Sequence, residues 1–187
     1  PNYQMLMDML SKENQLKTTC DAEGLGVIFI KALERTSDII EASRELLTTV
    51  PAAYSIVMLV YDKMDGKCSV VGIRDRFGLR PLCIGEKEGS YVIASESVAL
   101  DAVGATLISD VEPGSVEIIT GNQRISKKLA EGKRAHCMFE FVYFSRPDSI
   151  LEGKSVYDIR LKLGKNLVKS FNSNAQVVIP VPDTSRP

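Results

Sequence analysis

The stretch Tyr54 to Ile73, YSIVMLVYDKMDGKCSVVGI, sets the architecture. Tyr54 to Tyr61 is β-branched and aromatic, Asp65-Gly66 supplies a turn, and Lys67 to Ile73 returns, which together predict a β-hairpin. Downstream, Ser90 to Ala94, Ser115 to Ile119 and Phe139 to Phe144 read as further strands, with Pro113-Gly114 and Gly121-Asn122 as punctuation. Gly121 to Arg134 is the most polar tract and is expected to be loop. Upstream, Met5, Leu6, Met9 and Leu10 repeat at helical spacing, as do Ile39, Ile40, Leu46 and Leu47 after an Asp38/Glu41 capping pair. Closely spaced strands flanked by helices imply an α+β fold built on stacked antiparallel sheets.

The character changes near Arg146, where a second domain is expected to begin. Ser155 and Asp158 fit a capping box, and Val156, Ile159, Leu163 and Leu167 form a helical stripe. Val177 to Val181 is an unbroken apolar run, read as a strand buried on both faces that ends at a sheet edge because of Pro180 and Pro182.

Bulk properties narrow the function classes. The 187 residues are 44% hydrophobic and 25% charged, enough for one sizeable core. A net charge of −1 gives no electrostatic reason to expect nucleic acid or an anionic membrane as partner. The apolar runs fall short of the roughly 20 residues a bilayer span needs. Cys20, Cys68, Cys83 and Cys137 show no CxxC pairing, and nothing at Pro1 reads as an export leader, so reduced thiols in a cytoplasmic protein are expected. His136, the one histidine, is expected at a surface or interface. Arg74 and Asp75 are expected to fix their loop as a bidentate pair, and Gly78 to supply a backbone shape that a β-carbon would hinder.

Five blocks carry a resemblance: RDRFGLRPL (Arg74 to Leu82), YVIASESVALDAVGA (Tyr91 to Ala105), VEPGSVEII (Val111 to Ile119), CMFEFVYFSRPDS (Cys137 to Ser149) and VVIPVPDTSRP (Val177 to Pro187). In that order they resemble the glutamine phosphoribosylpyrophosphate amidotransferases, with Arg76 in place of a usual proline. The resemblance implies a class II glutamine amidotransferase portion, an Ntn-hydrolase αββα sandwich, over residues 1–145. A linker and the first helix and strand of a type I phosphoribosyltransferase α/β domain would follow over 146–187. It also implies a chain that starts after the family's amino-terminal cysteine nucleophile and ends before its phosphate-binding loop, and so is inactive alone. The whole reaction would release ammonia from glutamine and use it to displace pyrophosphate from phosphoribosylpyrophosphate. Purine nucleotides are expected as feedback ligands and a homo-oligomer as the assembly. The rival from another class is a non-catalytic binding or regulatory module that keeps the fold.

Residue roles follow from the same resemblance. Asp21, within Thr19-Cys20-Asp21-Ala22-Glu23, would hold the α-amino group of glutamine, as a carboxylate suits an ammonium; a helix cap is its alternative. No thiol here has a neighbouring base, so none is expected to act as nucleophile. Cys137 corresponds to one ligand of the 4Fe-4S cluster that some relatives carry. Tyr143, Arg146 and Asp148 would couple the two domains. Asp183 and Thr184 would belong to the phosphoribosyl site, with the Thr184 hydroxyl near Mg2+, a hard cation that takes oxygen ligands.

Overall fold

The computed structural model describes residues 4, 10, 16–171, 174–182, 185 and 186. The hairpin is formed as its sequence requires. β1 (Ser55–Tyr61) runs antiparallel to β2 (Cys68–Arg74), with Ser55 opposite Arg74 and Tyr61 opposite Cys68. Gly66, at φ 71, makes the left-handed step of the turn. β2 then pairs with β6 (Ser115–Thr120), and β6 with β7 (Gln123–Lys128), giving the sheet order β1-β2-β6-β7. A second sheet centres on β3 (Cys83–Lys87), flanked by β4 (Ser90–Ala94) and β5 (Thr106–Asp110).

Alternation along β2 and β6 creates the layers. Val71, Ile73, Val116 and Ile118 point to one side, into a core with Leu25, Phe29 and Ala32 of α1 (Asp21–Thr36) and Leu46 and Leu47 of α2 (Ile39–Thr49). Gly72 faces the other way, where a β-carbon would come within 2.9 Å of Ile93 Cδ1 on β4. That glycine lets the two sheets approach. On the far side of the second sheet, Cys83 and Ala105 pack against Leu100 of α3 (Ser97–Ala102). The layers are therefore helices, sheet, sheet, helix, the expected αββα arrangement.

Both anticipated caps are present. The Asp38 carboxylate accepts the N–H groups of Ile40 (2.7 Å) and Glu41 (3.4 Å), and the Ser155 hydroxyl accepts the N–H of Asp158 (3.2 Å) at the start of α4 (Val156–Ser170). Met5, Leu6 and Met9 lie outside the described residues; Leu10 is buried in the first core.

Three expectations are corrected. Phe139 to Phe144 is no strand but holds a π-helical turn, Glu140–Phe144. A strand would send neighbouring side chains to opposite faces, whereas Glu140 (4% exposed) and Phe141 (6%) are both buried. Gly121 to Arg134 is not all loop, because Gln123–Lys128 is β7; its exposed lysines suit a sheet edge. Val177 to Val181 forms no strand among the described residues, and Val178 is 87% exposed. An apolar run becomes a buried strand only where sheet neighbours cover it. Likewise the α4 stripe is buried at Val156, while Leu167 is 67% exposed.

Candidate functional site

The segment before α1 separates two acidic roles. Glu23 closes back on the chain: its carboxylate accepts the N–H groups of Lys17 and Thr18, both at 2.7 Å, and the Thr18 hydroxyl at 2.5 Å. These bonds, the Thr18 hydroxyl foremost, hold the Glu23 carboxyl below its usual range. Cys20 occupies the cap position, its side chain bonding no helix N–H among the described residues, and Asp21 is the first helical residue. Asp21 is therefore not the cap. Its carboxylate stays exposed at the helix N-terminus, 3.9 Å from the Cys20 thiol, where an ammonium could reach it.

Arg74 and Asp75 do not form the expected pair. Arg74, 1% exposed, turns inward and donates to the carbonyls of Arg80 (2.9 Å), Val111 (2.6 Å) and Gly78 (3.1 Å) and to the Glu152 carboxylate (2.7 Å). Asp75 Oδ1 accepts the N–H groups of Phe77 (2.7 Å) and Gly78 (3.1 Å), while Oδ2 is buried with no hydrogen-bond partner among the described residues. Each residue fixes the loop separately, Arg74 through carbonyls and Asp75 through amides. That division exploits chemistry: a guanidinium only donates and a carboxylate only accepts.

Beyond the π-helical turn the chain is bonded back onto the preceding body. Glu140 is buried because Arg80 (2.7 Å) and the Ser145 hydroxyl (3.0 Å) satisfy it, and the Arg80 guanidinium lies 4.7 Å from the Phe144 ring centroid. Arg160 donates to the carbonyls of Phe141 (2.8 Å) and Ser145 (2.6 Å). Glu96 accepts the backbone N–H of Arg146 (2.9 Å) and the hydroxyl of Ser149 (2.7 Å), and Ser97 Oγ accepts the N–H of Ile150 (2.8 Å). Arg146 and Asp148 meet at 3.0 Å as an exposed local pair, and the Tyr143 side chain is 64% exposed. Glu96, Glu140, Glu152 and Arg160 were missed from sequence. A lone carboxylate inside the aromatic run was the available signal for Glu140, since a charge among buried aromatics requires a partner.

The thiols have distinct environments. Burial, with Asp110 and Glu96 adding to it, pushes the Cys83 thiol up to about 12. Cys20 and Cys68 are exposed, and Cys137 is partly buried. Among the described residues no three His, Cys, Asp or Glu side chains converge to hold a metal ion. Cys137 thus has no companions for a 4Fe-4S cluster among the described residues. His136 is half-buried, its ring 5.0 Å from that of Phe141 and both ring nitrogens shielded, with no hydrogen-bond partner among the described residues. Asp183 and Thr184 lie outside the described residues. No described helix is long and apolar enough to cross a membrane.

Residues 1–102 match the glutamine amidotransferase domain family. The amidophosphoribosyltransferase of Archaeoglobus fulgidus is 40% identical over 185 residues, 98% of this chain and 39% of that protein. That of Methanocaldococcus jannaschii is 36% identical over 95% of this chain and 41% of its own length. Among solved structures, the glutamine phosphoribosylpyrophosphate amidotransferase from B. subtilis complexed with ADP and GMP superposes with a TM-score of 0.85 at 32% identity. That match covers 99% of this chain and 39% of the solved one. The chain spans about two fifths of the length of these relatives.

Proposed function

From the premise that this chain belongs to the glutamine amidotransferase domain family, we propose that it is the amidotransferase section, with the following junction, of a glutamine-dependent phosphoribosylpyrophosphate amidotransferase. The observation that carries this reading is the extent of the B. subtilis likeness: it covers 99% of the chain, so it takes in the bonded segment from Glu140 to Arg160 as well as the sandwich. A likeness to amidotransferases in general would need only the sandwich.

In this reading residues 1–145 belong to the glutaminase body, and 146–187 to the linker and the start of the transferase domain. Asp21 receives the α-amino group of glutamine, its charge favouring an ammonium. Tyr143, Arg146 and Asp148 stand at the junction through which occupancy of one site affects the other, and the aromatic surface there keeps ammonia unprotonated and away from bulk water. Asp183 and Thr184 belong to the phosphoribosyl site, where the Thr184 hydroxyl would be an oxygen ligand for Mg2+ and the ion would supply charge neutralisation for the pyrophosphate. Purine nucleotides are regulatory ligands, the assembly is a homo-oligomer, and the compartment is the cytoplasm. This is the chemistry that opens purine synthesis.

Purified full-length protein given glutamine, phosphoribosylpyrophosphate and Mg2+ should release glutamate and pyrophosphate in about equal amounts. Glutamate without pyrophosphate would refute the assignment. Asp21→Asn should raise KM for glutamine by about tenfold or more, the scale of a lost charge-assisted bond, and leave synthesis from ammonium ions unchanged. An unaltered KM would remove Asp21 from the site.

A further inference from the structure

The junction contains a buried ion pair that the exposed Arg146–Asp148 contact conceals. Glu152 sits on the turn of a small hairpin, β8 (Ile150–Leu151) and β9 (Lys154–Ser155), just past the Arg-Pro-Asp-Ser block. Its φ is 51, followed by Gly153 at φ 69. Such two-residue turns favour Asn or Asp before Gly, and a long side chain in the left-handed region is strained. Glu152 is held there by its carboxylate, bonded on one side to Arg74 (2.7 Å) and on the other to Arg134 (2.7 Å), and by its backbone N–H, which donates to the Asp110 carboxylate. Arg74 in turn carries the carbonyls of Gly78, Arg80 and Val111. One carboxylate on the linker hairpin therefore sets a guanidinium that organises the Asp75–Leu82 loop of the amidotransferase body.

We propose that Glu152 is a positioning residue for the reaction assigned above: the Glu152–Arg74 pair is the contact through which displacement of the segment after Arg146 reaches the amidotransferase half. The inference rests on that functional reading. Three features favour the pair over Arg146–Asp148. It joins residues 78 positions apart, whereas Arg146 and Asp148 are separated by two. Its arginine is shielded from water, so its energy depends steeply on geometry. Removing its carboxylate leaves a buried cation to find another arrangement, which converts a small shift of the hairpin into a rearranged loop.

The test uses the full-length protein and compares synthesis driven by glutamine with synthesis driven by ammonium ions. A role confined to stability lowers both together, or only the melting temperature. Glu152→Gln keeps an oxygen that Arg74 can donate to and loses the charge; Glu152→Asn improves the turn and removes the reach. In both, the glutamine-to-ammonium rate ratio should fall at least tenfold, and phosphoribosylpyrophosphate should no longer stimulate glutamine hydrolysis. Arg134→Ala, which removes the more exposed partner, should hold the ratio within twofold. If the wild type makes product while Glu152→Gln or Glu152→Asn keeps its ratio, the inference is overturned and the functional reading stands. If the wild type makes no product from either nitrogen source, the reading fails and the inference with it.

Discussion

Gly78, at φ 61, has no room for a side chain: a β-carbon would lie 2.6 Å from Pro113 Cγ. Gly78→Ala should cost about 1–3 kcal/mol from backbone strain alone, read as a lower denaturant midpoint with unchanged slope; an unaffected midpoint would show the loop can relax. The glycine was legible in RDRFGLRPL as a position needing a special backbone. The partners of Arg74 were not, since three are carbonyls, which every residue has, and the fourth is 78 positions away. His136 shows a comparable limit, because sequence says nothing of the Phe141 ring that shields it. Burial holds its imidazole below the ordinary histidine range, so the folded state resists a proton that the unfolded chain accepts. Its contribution is intact above the unfolded pKa and is lost as pH falls through the depressed folded value. Between about pH 7 and about pH 5.5 the wild type should lose more stability than His136→Phe. Parallel melting curves across that range would contradict the assignment. Thiol accessibility adds a check: Cys20 and Cys68 should react quickly with a thiol reagent, and Cys83 only on unfolding.

Elements were legible where local chemistry fixes them. Asp38 caps α2 through two amides, and Asp38→Ala should cost about 1 kcal/mol, measurable by thermal or denaturant unfolding; no loss would mean that packing of Leu46 and Leu47 carries the helix end unaided. The β1–β2 hairpin and the α4 cap formed for the same local reasons. Elements decided by distant partners were misread. The aromatic block looks like a strand because its residues favour one, yet Arg80 and Arg160 bind Glu140 and the carbonyls of Phe141 and Ser145 and fold it into a π-helical turn. β7 is polar enough to pass for loop, since only its pairing with β6 reveals it. Val177 to Val181 fails for the opposite reason, having the composition of a buried strand and no pairing among the described residues.

At the scale of the molecule, the two stacked sheets and their helices followed from strand spacing, and the family from blocks of sequence whose side chains exceed what packing demands. The site was less accessible: Asp21 was identified through resemblance, and its exposed position as the first residue of α1, beside a Glu23 carboxylate already taken up by Lys17 and Thr18, emerges only in three dimensions. The proposed role of this αββα body and its bonded junction is to pass nitrogen from glutamine to an activated ribose within one protein. The direct measurement supplies the full-length protein with glutamine labelled at the amide nitrogen, phosphoribosylpyrophosphate and Mg2+, in an excess of unlabelled ammonium ions. Phosphoribosylamine carrying the label is the expected product. Product bearing only unlabelled nitrogen, or glutamine hydrolysed with no nitrogen reaching the sugar, would contradict it.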